Sequence, residues 1–544
     1  MLRRHLPAVV ALAVTFAVSA TIVFSQPLGA PWWLYADADA TYVGSSLELA
    51  SNDHARYVDH PGLPIQEALA VAFDAQWLAA RVVHGTSHAA FMQYRLLHLD
   101  RTRGTFRSFA VLFYLAGALL ACILVARMLR SWWWGMAAGV LWVGMPAGAL
   151  DAIQIRPETL LSLLCLVVMF CVTRAFELRS ARWYGWAGLA LGFTVTVKLH
   201  ALGLAVPLVV AALVAPPRPG WRRELEERVR AFVERHRVAV GAAAGIWLLL
   251  ALRYSAPHFP FRSASKTGAA FALLLGVVFA VHTVAALRAE RSGSARMQRL
   301  LDPFHSFVLG AVLLGMALPI SIVVDDGVRA LGATRATLTG GGVNAGVQPF
   351  ELRGVDFGVW PLREALLVFA IAAGAAAYGL WKRELVPVLW FVGAAVLAVM
   401  ASARLGVTRY YAPPFVVSIP PALWLLRRLR LPGAIAAAVL VVVVALPQLQ
   451  HRDDQADAAR QDERIAAALL ARAHLAPGQA ALVAPGGASA DACYFAVVQP
   501  YLADHPVYPY RALPAGTSRA DEYAHAHGLT LVRVDGPAPA HQNC

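Results

Sequence analysis

Long apolar runs separated by short charged stretches fill the first 447 of the 544 residues. Runs long enough to cross roughly 30 Å of hydrocarbon recur. Helical segments are expected near 6–26, 105–126, 132–150, 159–177, 184–197, 199–215, 238–252, 269–287, 304–324, 364–381, 385–402, 413–426 and 432–447. The pair 184–197 and 199–215 meets at Lys198 and His200, and one long kinked helix is the alternative there. The first run follows Arg3 and Arg4. Val18-Ser19-Ala20 resembles a signal cleavage site, but the run is longer than a typical signal core and reads as a retained helix.

Between the first two runs lies a long loop, 27–104. Within it, Ile65 to Val83 carries Leu69, Phe73, Trp77 and Leu78 at helical spacing, interrupted by Glu67, Asp74 and Arg81. That pattern is too polar to span and suits an interfacial amphipathic helix. Segment 216–238 reads as a short charged helix. Segment 325–363 reads as a long loop containing Gly340-Gly341-Gly342, with no Lys-Ser/Thr to make it a P-loop. After residue 447 charges rise and Gly/Pro turns appear. Helices are expected over Ala456–His474, Asp491–Leu502 and Ser518–His527, and strands over Ala480–Ala484 and Leu529–Val534. The expected fold is therefore an all-α polytopic membrane protein of about thirteen transmembrane helices (1–447), with a small C-terminal α/β domain (448–544).

Composition agrees: 58% of residues are hydrophobic and 15% charged. The net charge of +14 invites a nucleic-acid reading, which its distribution removes. Loops 1–6, 127–131, 174–183, 216–238, 288–303, 382–384 and 427–430 hold 23 Lys+Arg in 67 residues. Loops 27–104, 151–158, 253–268, 325–363 and 403–412 hold 15 in 151. The first set is more than threefold denser, so it is expected to be cytoplasmic and the basicity sets orientation. The N-terminus is then cytoplasmic and the C-terminal domain periplasmic or extracellular, in a bacterial inner membrane. Trp32-Trp33 and Trp132-Trp133-Trp134 fit aromatic belts at opposite faces. Cys122, Cys165 and Cys171 fall in apolar runs. Cys493 and Cys544 fall in the outer tail, where a disulfide or two free thiols are both open.

Ionisable groups at span edges are costly and mark sites. Asp37 and Asp39 follow the first span. In an extended loop their spacing puts both on one side, where one carboxylate can serve as base and the other orient it or hold a divalent metal. A solvated acidic loop is the bland alternative. Asp59-His60-Pro61-Gly62 is a turn in which His60 is a candidate for a phosphate or hydroxyl. Arg156-Pro157-Glu158 starts a helix, with Pro157 suited to the first turn; Arg156 either meets a phosphate or pairs with an acid. Lys198 either snorkels or joins the acids. Arg409 and Tyr410, beside Arg404, Tyr411, Pro413 and Pro414, suit phosphate binding or a headgroup anchor. All these groups are expected on one side of the membrane.

Four stretches carry a family likeness: Tyr35-Ala-Asp37-Ala-Asp39-Ala-Thr-Tyr42 with Asp59-His60-Pro61-Gly62; Ile155-Arg156-Pro157-Glu158; Gly192-Phe-Thr-Val-Thr-Val-Lys198-Leu-His200; and Thr408-Arg409-Tyr410-Tyr411-Ala-Pro413. In their order and spacing, residues 1–447 resemble the glycosyltransferase-C superfamily. The likeness is narrower to the bacterial branch related to protein O-mannosyltransferases and the lipid A aminoarabinose transferase. The resemblance implies transfer of a sugar from a polyprenyl-phosphate donor to a glycan, glycolipid or protein acceptor. It implies Asp39 or Asp37 as base and Lys198 and Arg409 at the donor phosphate; from the residues themselves, substrate contacts are expected also from Asp59, His60, Arg156, Glu158, His200 and Tyr410. Many relatives have adjacent Asp-Glu where this chain has Asp-x-Asp, so the choice of aspartate and the use of metal stay open. The competing readings are a transporter or flippase of lipid-linked sugars, whose signature would be inverted repeats, and a non-catalytic envelope-polymer scaffold. Membrane lipids are expected partners and nucleic acid is not.

Overall fold

The computed structural model describes residues 2–26, 36–55, 62–97, 99–146, 154–259, 266–292, 302–338, 362–402, 408–430 and 432–446. In the C-terminal part it describes 464, 479–485, 495–499 and 530–536; for some of all these residues, Asp37, Asp39 and Arg409 among them, it describes the backbone alone.

Thirteen helices fall on the thirteen expected segments, of which residues 147–150 and 447 lie outside the described residues. They are α1 (Leu2–Ser25), α5 (Leu99–Met128), α6 (Trp132–Leu141), α7 (Pro157–Leu178), α8 (Ala181–Val197), α9 (Ala205–Val214), α11 (Arg237–Ser255), α12 (Lys266–Ser292), α13 (Pro303–Ile322), α15 (Leu362–Lys382), α16 (Leu385–Ser402), α17 (Ala412–Arg428) and α18 (Pro432–Leu446). Among the described residues, seven helices are long and apolar enough to cross a membrane, within α1, α5, α7, α11, α12, α13 and α15. Three more apolar helices are shorter: Leu199–Val214, Leu385–Ala401 and Pro432–Leu446. The molecule is a multi-pass helical membrane protein. The kinked-helix alternative at Lys198 is not what forms. α8 ends at Val197, Lys198 is extended (φ −160°, ψ 137°), and a 3-10 turn over Leu199–Leu204 leads into α9.

Three helices lie in the long loop between α1 and α5: α2 (Ala36–Ala50), α3 (Leu63–His84) and α4 (His88–Leu97). α3 covers the expected interfacial segment. Its first half buries Leu69 and Phe73, while Leu78, Val82 and Val83 stay exposed. α10 (Trp221–Arg235) is the expected charged helix. α14 (Val324–Leu338) replaces the first part of the loop expected at 325–363, and the glycine run lies outside the described residues.

Close helix packing rests on small residues. α8 lies along α13. A Cβ built on Gly192 would stand 2.0 Å from the Val312 carbonyl oxygen, so the two backbones touch there. The core runs through the bundle, with Trp142, Trp390, Tyr114 and Tyr184 fully buried.

In the C-terminal part, β1 (Gln479–Pro485) pairs antiparallel with β2 (Phe495–Gln499) and parallel with β3 (Thr530–Gly536), giving the order β2-β1-β3. The strands at 480–484 and 529–534 were expected. The helix expected at Asp491–Leu502 is corrected to strand over 495–499. Phe-Ala-Val-Val-Gln has an aromatic and two β-branched residues, which favour a pleated neighbour on β1 over a helix. The helices expected at 456–474 and 518–527 fall on residues outside the description, apart from helical 464, as do Cys493 and Cys544.

Candidate functional site

Four of the expected residues converge. Pro157 occupies the first turn of α7, where a missing N–H costs nothing, and sets Glu158 at the helix start. Lys198 sits at the break after α8. Its ammonium donates to Glu158 Oε1 and lies 4.2 Å from the centre of the Tyr410 ring. Tyr410 belongs to a 3-10 turn, Thr408–Tyr411, that leads into α17, and its ring is 5.1 Å from the His200 imidazole. Glu158, Lys198, His200 and Tyr410 are all buried and share a narrow crevice with Leu161, Leu397, Pro413 and Pro414. Lys198 therefore does not snorkel: it is 3% exposed and satisfied by a carboxylate and an aromatic face.

A neighbouring pair comes from the segment before α7. Buried Arg156 donates from Nε to Gln154 Oε1, two residues upstream. The same loop thus delivers Arg156 and Glu158 to one end of the bundle.

The first loop reaches this crevice through its backbone. The Gly62 N–H donates to the Val197 carbonyl at 2.9 Å, one residue before Lys198. Gly62 has φ +48°, and a Cβ there would meet Tyr42 Cε1 at 2.5 Å. Tyr42 lies in α2 three residues after Asp39, so α2, the 62 turn and the Lys198 break form a continuous contact. Asp37 and Asp39 are in the first turn of α2 and not in an extended loop. At 100° per residue, positions two apart lie about 200° apart around a helix axis. The expectation that their spacing sets them on one side is corrected accordingly. Asp59 and His60 lie outside the described residues. So does the side chain of Arg409, whose backbone adjoins Tyr410 in the 3-10 turn. Among the described residues no group of three or more His, Cys, Asp or Glu is placed to hold a metal ion.

Two polar clusters that sequence reasoning missed fasten the first loop to the bundle. On α3, Asp74 accepts from Arg253 Nε at 3.1 Å and Tyr254 OH at 2.9 Å, with His88 Nε2 at 3.0 Å. At the start of α14, Asp325 and Asp326 are buried, with His54 Nδ1 at 3.4 and 3.6 Å. Asp326 also accepts from the Ala55 N–H at 3.2 Å and from Arg329 at 2.7 Å. Burial raises the Asp326 carboxyl above its ordinary range, against the opposing pull of the Ala55 N–H and Arg329. The available signal was a doubled aspartate directly after the apolar run ending at Val324.

No family model matches the sequence, and no curated protein matches it. Among solved structures, the chain is similar to the Archaeoglobus fulgidus oligosaccharyltransferase in its apo form, at 13% identity and a TM-score of 0.41. The match covers 82% of this chain and 56% of that one, so the chain spans little more than half of that protein's length.

Proposed function

We propose that this protein is an integral-membrane glycosyltransferase that moves a sugar from a polyprenyl-phosphate donor to an acceptor hydroxyl at the outer face of a bacterial inner membrane. The observation that carries the reading is the meeting of Lys198, Glu158, His200 and Tyr410 at the helix break that also holds Gly62. Residues from segments far apart in sequence arrive at one end of the bundle, beside the helix that carries Asp37 and Asp39.

The chemistry needs few groups. The acceptor oxygen attacks the anomeric carbon, its proton passes to Asp39 or Asp37, and the carbon–oxygen bond to phosphate breaks with its electron pair leaving on the phosphate. A single displacement inverts the anomeric centre. Lys198 and Arg409 stabilise the charge on the departing phosphate. Lys198 is held ready by Glu158, and a phosphate oxygen takes Glu158's place as acceptor when donor arrives. His200 and Tyr410 shape the donor side of the crevice. Arg156, Asp59 and His60 bind substrate from the adjoining loops. A divalent metal would take one aspartate of α2 together with ligands from another segment, because the two aspartates lie on different sides of that helix.

The test is mass spectrometry of cell-envelope glycans from cells lacking the protein and cells complemented with wild type, Asp37→Asn or Asp39→Asn. A sugar should vanish without the protein and fail to return with at least one variant. Full restoration by both variants removes the aspartates from the reaction. Loss of a sugar that accumulates on its lipid carrier inside the cell would instead identify a flippase.

A further inference from the structure

A second cavity lies at the other end of α8. It encloses about 690 Å³, within the range of about 300–1,000 Å³ usual for ligand pockets. Arg182 and Trp186 of α8 line it, and Lys198 follows the far end of the same helix. At 1.5 Å per residue, the sixteen steps from Arg182 to Lys198 amount to about 24 Å. The two sites are separate.

The roof of this cavity is α10. Its apolar positions Trp221, Leu225, Val229 and Phe232 recur at helical spacing and form one face. That face is seated only at one end. The Trp221 ring packs 5.3 Å from Phe307 and 5.8 Å from Phe304. Farther along, Val229 and Phe232 line the open space and remain 53% and 56% exposed. The opposite walls, Leu189, Phe279 and Leu314, are also apolar. Apolar walls on both sides of the slot suit an apolar chain.

Three arginines stand at the rim, two of them paired with glutamates beyond the lining. Arg182, Arg222 and Arg228 line the cavity, and no aspartate or glutamate is among its described lining residues. Arg222 reaches Glu290 at 3.2 Å and Arg228 reaches Glu224 at 2.9 Å, both pairs lying on exposed surface. Arg182 pairs with no carboxylate among the described residues. Apolar walls below a cationic rim match a molecule with an acyl chain and an anionic head.

We propose that the cavity between α8, α10, α12 and α13 is a binding site for an anionic glycerophospholipid. Its phosphate meets Arg182, Arg222 and Arg228, and an acyl chain lies between Phe232 and Leu314. The lipid completes the seat of α10, which belongs to the segments densest in basic residues. A zwitterionic lipid would bring its own cation to the same rim and bind less well.

Native mass spectrometry of the full chain in detergent, titrated with dioleoylphosphatidylglycerol or dioleoylphosphatidylcholine, tests this. One phosphatidylglycerol should bind about tenfold more tightly than phosphatidylcholine. Combining Arg182→Gln, Arg222→Gln and Arg228→Gln should erase the preference. If that variant does not fold, Arg182→Gln alone should reduce it severalfold. Leu314→Trp should weaken binding of both lipids by narrowing the slot. Equal binding of the two lipids to wild type, or an undiminished preference in Arg182→Gln, overturns the proposal. So does copurification of a polyprenyl phosphate in the cavity in place of phospholipid.

Discussion

The Gly62 N–H donates to the Val197 carbonyl, joining the first loop to the residue before Lys198. A hydrogen bond at 2.9 Å between a left-handed turn and a helix end fixes a position that neither segment sets alone. Tyr42 closes the arrangement by filling the space over Gly62 where another residue would carry its Cβ.

Gly62→Ala should therefore be harmful twice over, through the positive φ and through the 2.5 Å approach to Tyr42. The expected loss is about 1–3 kcal/mol. Adding Tyr42→Leu should recover part of it, because it removes the steric component and leaves the backbone strain. Thermal unfolding in detergent measures both. Fully additive losses in the double variant would show that the two residues do not act on each other.

Lys198 and Glu158 form a buried pair, and removing one member leaves a charge without its partner. Lys198→Ala or Glu158→Gln should each cost about 3–5 kcal/mol. Lys198→Met combined with Glu158→Leu should regain most of that stability, since apolar replacements of both partners cost little. Under the proposed function, sugar transfer should stay impaired in the double variant, because the donor phosphate then keeps Arg409 alone of its two proposed cations. Thermal melts set beside glycan analysis separate the structural loss from the chemical one. Transfer by the stable double variant would remove Lys198 from the phosphate site.

Helix positions were legible from hydropathy. α16 falls on the expected residues 385–402 because its run is apolar and sharply bounded by Glu384 and the polar stretch after Ser402. α2 was not, since Ala36–Ala50 mixes aspartates, a glycine and serines with few large apolar residues, and its burial comes from packing on α3. Candidate residues 158, 198, 200 and 410 could each be singled out by a charge or ring at a span edge. That Lys198 meets Glu158, forty positions away, could not be read from spacing, which reports neighbours only within one helix. Asp74 and its partners on α11 escaped for the same reason, being about 180 residues apart.

Glu67 gives a prediction in pH. It lies in α3, outside the spanning helices, and burial holds its carboxyl well above the usual range. In the unfolded chain it ionises near its ordinary value of about 4.3. The folded state keeps the proton to higher pH, so it binds more protons than the unfolded state across that window. The resulting stability is fully present below about pH 4.3 and falls as pH rises through the folded value. Glu67→Gln mimics the protonated form and should flatten this decline, giving a higher melting temperature than wild type at neutral pH and little difference near pH 4. Wild-type and Glu67→Gln melting temperatures that run parallel from pH 4 to 8 would show that Glu67 ionises alike in the folded and unfolded chain, which overturns the raised carboxyl.

The last prediction concerns the contact that aligns α8. Gly192 touches the backbone of α13, with the Val312 carbonyl oxygen 2.0 Å and the Met316 nitrogen 2.8 Å from where a Cβ would stand. Backbone cannot rotate aside as a side chain can, so Gly192→Ala must push the two helices apart. The expected cost is about 1–3 kcal/mol, as for other overpacked sites. Because Lys198 follows six residues after Gly192, transfer should fall with it. Gly276 of α12 is the control, having nothing within 4 Å of its Cβ position. Gly276→Ala should gain up to about 1 kcal/mol, since alanine is the better helix former, and leave transfer unchanged. Melting temperature and glycan output measured on both variants decide the matter. Equal behaviour of the two would mean that α8 and α13 do not need the close approach that sets the Lys198 end of the helix.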